Sequence, residues 1–164
     1  MVAVDAGCDP DYQFEDLANA IRKCWTDFGT RIDIDLAPLR PQGDGKHNPS
    51  HFAVGCIRYR NAPEPGILLY IKASLTGDET SDVKQYADGH PSFPHQSTGD
   101  QFFDEHQFES YRELGRHLGL KVFAPLFSPF TPNAAEPLTP AEIREALQTR
   151  LPDHPLLQAK RSCG

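Results

Sequence analysis

Val2-Ala3-Val4-Asp5-Ala6-Gly7, near the start of a 164-residue chain, is the stretch on which the fold turns. A short apolar run ending in Asp-Ala-Gly reads as a strand buried on both faces, the kind found in parallel sheets. Such a strand needs neighbours on both sides and cover above and below. The residues that follow supply part of that surrounding. Leu17, Ile21, Cys24 and Phe28 fall at helical spacings within Phe14 to Phe28, and Gly29 stands at the usual helix stop. Arg31-Ile32-Asp33-Ile34-Asp35 then alternates as a half-buried strand does. Strand, helix and strand in this order predict one βαβ unit whose two strands run parallel.

Beyond a Pro-, Gly- and Asn-rich loop over 37–50, Phe52 to Tyr59 and Ile67 to Ser74 read as an antiparallel strand pair joined by a longer connection. Leu68, Tyr70 and Lys72 alternate with Leu69, Ile71 and Ala73, so one face is partly polar. That polarity places the pair toward a sheet edge. Asp78 to Ala87 predicts a polar helix anchored by Val83 and Tyr86. Thr98 followed by Gln101 has the form of a capping box opening a helix that runs to about Leu118. Residues 119–138 are proline-rich and read as irregular. Thr139-Pro140-Ala141-Glu142 predicts a short helix over 139–151, with a loose tail over 152–164.

The formal charge of −7 argues against a nucleic-acid partner, because phosphate binding requires a basic surface. No apolar run approaches the roughly 20 residues that span a bilayer, and the N-terminal residues lack a signal-peptide pattern. Cys8, Cys24, Cys56 and Cys163 show no metal-ligand spacing, which makes reduced thiols the default. A cytoplasmic location, or a peripheral one at the inner membrane face, is the expectation.

Catalytic chemistry is hard to find in this sequence. A serine hydrolase needs a serine on a sharp turn, commonly G-x-S-x-G, and neither Ser92 nor Ser97 has that setting. His90, His95, Asp100, Asp104 and His106 are metal-binding residue types, yet their spacing fits no motif, and helix capping explains the two aspartates better. A metal-dependent hydrolase built on that region is the weakest of the readings. Cys8 reads as a small buried thiol, and Asp5 as an acceptor for nearby backbone amides. Trp25, Phe102, Phe103 and Phe108 read as core aromatics, with a lipid-facing patch as the alternative. No catalytic, metal-binding or cofactor-binding residue is assigned, and no cofactor is expected.

Three blocks carry a family resemblance. The first is Val4-Asp5-Ala6-Gly7-Cys8-Asp9-Pro10 with Phe14-Glu15-Asp16-Leu17 and Asn19-Ala20-Ile21-Arg22-Lys23. The second is Gly66-Ile67-Leu68-Leu69-Tyr70-Ile71-Lys72 with Thr76-Gly77-Asp78-Glu79. The third runs from His90-Pro91-Ser92-Phe93-Pro94-His95-Gln96-Ser97-Thr98 through Gly99-Asp100-Gln101-Phe102-Phe103-Asp104-Glu105 and on to Arg112. Together they resemble the bacterial patatin-like phospholipases over about residues 2–118. That resemblance implies serine lipid acyl hydrolysis by a Ser-Asp dyad with a glycine-rich oxyanion loop. It also places the G-x-S-x-G serine and the D-G-G aspartate upstream of the Val2 strand. Asp5-Ala6-Gly7 is not that aspartate motif, so no catalytic residue carries over.

The expectation is therefore an α/β chain with a partial patatin-like fold: one parallel βαβ unit, an antiparallel strand pair and two packing helices. Residues 1–118 would form the C-terminal segment of a patatin-like domain and would be catalytically silent alone. Its partner would be an upstream catalytic segment of the same enzyme or a separate catalytic polypeptide, with lipid substrate met only in the full-length form. A truncated reading frame accounts for the opening strand better than a separate natural product. The alternative is a stand-alone interaction module that binds a partner through an exposed sheet edge.

Overall fold

The computed structural model describes residues 1–43 and 45–127. Among these, the strands are β1 (Val2–Asp5), β2 (Arg31–Ile34), β3 (Phe52–Arg58) and β4 (Gly66–Lys72). The helices are α1 (Glu15–Phe28), α2 (Ser81–Gly89) and α3 (Glu105–Phe127), with a 3-10 turn at Ala37–Leu39. The chain is α/β, with a mixed four-stranded sheet ordered β1-β4-β3-β2. β1 runs parallel to β4, while β4–β3 and β3–β2 are antiparallel.

It follows that β1 and β2 point the same way, as the strand-helix-strand pattern predicts, but they occupy opposite edges with two strands between them. The β3–β4 pair, expected near an edge, forms the centre. Its polar face misled because Lys72 is not solvated: it is fully buried and ion-paired to Asp5 across the parallel pair.

Each face of the sheet has its own core. On one side Tyr12, Phe14, Leu17 and Leu39 cover Ala53, Ile57, Leu68 and Tyr70. On the other, Val83 and Tyr86 of α2, Phe93, and Leu114, Leu118 and Val122 of α3 cover Leu69 and Ile71. Val83 and Tyr86 thus anchor α2 as their isolated apolar character predicts.

Helix α1 is bounded at both ends by left-handed backbone. Phe14 precedes it with φ 56°, held there because its ring is buried and the Asp9 carboxylate accepts the Gln13 and Phe14 N–H groups at 2.8 and 2.9 Å. Gly29 closes it with φ 63°, its N–H donating to the Trp25 carbonyl at 2.9 Å while Thr30 N–H reaches Cys24 at 3.1 Å.

Helix α3 departs from expectation at both ends. Thr98 and Gln101 do not open it. Asp104 does, accepting the Gln107 N–H on its side chain at 2.7 Å, while the Asp100 carboxylate accepts from Phe102 at 3.1 Å in the segment before the helix. The helix also runs past Leu118 to Phe127, so the first part of the 119–138 segment is helical rather than irregular. The remainder of that segment, the helix expected over 139–151 and the tail over 152–164 lie outside the described residues.

Strand β1 differs from its expected setting. Ala3 packs against the α1-side core, but Val2 and Val4, on the opposite face, are 53% and 73% exposed. The Met1 and Asp5 carbonyls accept from Leu69 and Ala73 at 2.9 and 3.0 Å. By the alternation of a parallel ladder, the backbone groups of Val2 and Val4 then face away from β4. Among the described residues no strand pairs with that outer side.

Candidate functional site

Asp5 closes β1 and Lys72 closes β4, and the two are register partners across the parallel pair. The carboxyl ends of parallel strands are where α/β proteins place functional groups. Lys72 Nζ lies 3.0 Å from Asp5 Oδ2 and donates to the Gly7 carbonyl at 3.1 Å. The Tyr70 hydroxyl donates to the same Asp5 Oδ2, and the Gly7 N–H donates to Oδ1 at 2.7 Å.

Burial raises the Asp5 carboxyl's pKa, but the donors from Tyr70, Gly7 and Lys72 outweigh it and hold the group below its ordinary value of 3.8. Burial and the bonded carboxylate push the Tyr70 phenol far above its usual range. Near neutral pH the cluster therefore holds a carboxylate and an un-ionised phenol. Neither is poised to exchange a proton, so the cluster works as a clamp fastening the edge strand to the centre of the sheet.

Cys8 and His95 lie alongside. Cys8 is exposed rather than buried, and its thiol donates to the His95 carbonyl oxygen at 2.9 Å instead of meeting the imidazole. The His95 ring is buried edge-on against Tyr12, with centroids 4.8 Å apart. Burial, aided by the Lys72 charge, lowers its pKa and keeps it neutral. No thiolate–imidazolium pair forms. Cys24 is a free thiol.

The other residues singled out by sequence are not gathered into a site. Ser97 Oγ accepts the Gly99 N–H at 3.2 Å, and the Ser92 carbonyl accepts the His95 N–H in a turn. His90 stacks on Tyr86 at 3.9 Å and bonds the Tyr86 carbonyl through Nδ1 at 2.8 Å. Asp100 and Asp104 serve backbone amides, and His106 is exposed. The core reading of the aromatics is overturned: Trp25, Phe102, Phe103 and Phe108 are all exposed. Trp25 carries the Arg31 guanidinium 4.6 Å above its ring, and Phe103 stacks on Tyr111 at 5.8 Å.

Two groupings escaped the sequence. One is the Asp5–Lys72 pair, whose partners stand at opposite ends of the first seventy-odd residues. The other joins His51, Asp78, Glu79 and His117, with ligand-type atoms all within 4.8 Å of one another. Only the parallel pairing of β1 with β4, or the seating of α3 on the sheet, would have revealed them.

Two surfaces complete the picture. A cavity of about 390 Å³ is lined by Tyr12, His47, Glu79, Phe93 and His95. The outer side of β1 offers unpaired backbone groups flanked by Val2 and Val4. No helix among the described residues is long and apolar enough to cross a membrane. Comparison with protein-family models, with curated proteins and with solved structures gave no match.

Proposed function

We propose that this chain is the non-catalytic C-terminal part of a patatin-like lipid acyl hydrolase, completing the sheet and bordering the acyl-binding cleft. The observation that carries the reading is the outer side of β1. Exposed β-branched side chains next to unpaired strand amides are the features that natural edge strands avoid, because they invite another strand. A central strand whose neighbour comes from elsewhere in the enzyme has no such conflict. The three motif blocks support the family, and the exposed Phe102, Phe103 and Phe108 offer apolar surface suited to an acyl chain. In the whole enzyme a serine from the preceding segment would attack the lipid ester and form an acyl-serine intermediate.

Translation of the coding DNA upstream of Met1 in the same frame tests this. The expected sequence contains G-x-S-x-G and then D-G-G. The chain extended by those residues should hydrolyse phospholipid ester and react with a fluorophosphonate, while the 164-residue chain does neither. An upstream sequence without these motifs would overturn the reading. It would favour a module that receives a partner's strand along β1, the second function that the bare edge suits.

A further inference from the structure

We propose that His51, Asp78, Glu79 and His117 form a binding site for one divalent transition-metal ion of the zinc class, which fastens α3 to the sheet. The four residues come from three places: His51 just before β3, Asp78 and Glu79 between β4 and α2, and His117 within α3. Two imidazoles with two carboxylates suit zinc and its neighbours, whereas magnesium and calcium prefer all-oxygen sets.

The hydrogen bonds around His51 assign its tautomer. Ser74 Oγ donates its only proton to the Lys72 carbonyl at 3.1 Å, so the 3.0 Å contact between His51 Nδ1 and Ser74 Oγ is a bond donated by the imidazole. Thr76 Oγ1, 3.1 Å from His51 Nε2, also lies 2.7 Å from Asp78 Oδ1 and 3.4 Å from Glu79 Oε1, with one proton to give among the three. With its proton on Nδ1, His51 offers Nε2 as its acceptor atom, and an ion there would take the place of the Thr76 hydroxyl, the ring being oriented from behind by Ser74 as in metal-binding imidazoles. His117 Nε2 donates to Asp78 Oδ1 at 3.0 Å, a proton that the ion would replace.

Glu79 supplies a second sign. Its side chain is buried, and its oxygens accept the Thr76 and Gly77 N–H groups at 2.5 and 3.0 Å. Among the described residues it forms no ion pair. Buried carboxylates ordinarily face a cation or a metal. With metal–ligand bonds of about 2.0–2.1 Å, the ligands of a tetrahedral ion lie about 3.3 Å apart. The 4.8 Å limit on the present separations leaves rotamer-sized closures. Lys121 pairs with Asp78 Oδ2 through a half-exposed side chain that is free to turn into solvent, while Oδ1 meets Thr76 Oγ1 and His117 Nε2, the contacts an ion would rearrange.

The test is calorimetric titration of Zn2+ into the metal-stripped, tag-free chain, with Co2+ as a spectroscopic substitute. The expected result is one ion per chain, a tetrahedral Co2+ visible spectrum without thiolate bands, a raised Tm and no Mg2+ response. His117→Ala and Asp78→Asn, both at the rim, should each weaken Zn2+ binding by about 100-fold or more. Ser74→Ala, which removes no ligand, should weaken it about 10–100-fold. Cys8→Ser with Cys24→Ser should leave it unchanged. Circular dichroism checks that each variant is folded, and if His117→Ala is not, Asp78→Asn and Ser74→Ala decide. Absence of stoichiometric binding, or affinity unchanged in the folded variants, overturns the site.

Discussion

Asp5→Ala is expected to destabilise the chain by about 3–5 kcal/mol, because it leaves the Lys72 ammonium buried without its counter-charge. Lys72 is 1% exposed, and its Nζ has two acceptors, Asp5 Oδ2 and the Gly7 carbonyl. Removing the carboxylate strands the charge, and it also deprives the Tyr70 hydroxyl and the Gly7 N–H of their acceptor. The double replacement Asp5→Leu with Lys72→Met should recover most of the loss, since an apolar pair of similar volume avoids both desolvation penalties. Urea denaturation of the two variants checks this, and equal losses in both would show that packing rather than charge holds the strand.

The same cluster sets a pH dependence. The Asp5 pKa is depressed in the folded chain, so its contribution is fully present above the ordinary carboxylate value of 3.8 and is lost as pH falls through the folded value. Stability should therefore decline below about pH 4 in the parent. The decline should be shallower in the Asp5→Leu, Lys72→Met double variant.

Leu114→Ala should cost about 2–5 kcal/mol through the cavity it opens between α3 and the sheet. Leu114 is 2% exposed within the cluster that holds Leu69, Ile71, Val83 and Leu118. That core lies on the face of the sheet opposite α1, and Leu114 shares no partner with the Asp5–Lys72 clamp. Losses from Leu114→Ala and Asp5→Ala should add to within about 0.5 kcal/mol. A combined loss far smaller than the sum would show the two faces to be coupled through β4. Denaturation midpoints of the single and double variants supply the comparison.

What could be read from sequence was local. The spacing of Leu17, Ile21 and Cys24 and the stop at Gly29 describe α1 correctly, because both are set by backbone within one helix, but Phe28, the fourth member of that stripe, is 70% exposed at the helix end. Val83 and Tyr86 as anchors of α2 follow from the same logic. The errors arose where a residue's meaning depends on a distant partner. Lys72 reads as a solvent-facing residue until Asp5 is placed beside it, and that mistake moved the central strand pair to an edge. Thr98 and Gln101 have the form of a helix start, but Asp104 has an equally good side chain and stands next to the apolar positions that pack on the sheet. The setting of β1 likewise depends on a partner that its own residues do not name. Its composition is that of an inner strand, yet among the described residues only β4 pairs with it. The histidine–carboxylate group spans His51 to His117, so no local motif could announce it.

Hydrogen exchange at β1, followed residue by residue in the monomeric 164-residue chain, tests most directly whether its outer side is built to receive another strand. The ladder turns the Ala3 and Asp5 amides toward β4 and the Val4 amide away from it. The predicted result is slow exchange at Asp5, free exchange at Val4, and slow exchange at Val4 once the proposed preceding segment is supplied. A Val4 amide already protected in the isolated monomer would contradict the account, since the edge would then have its neighbour without any further segment.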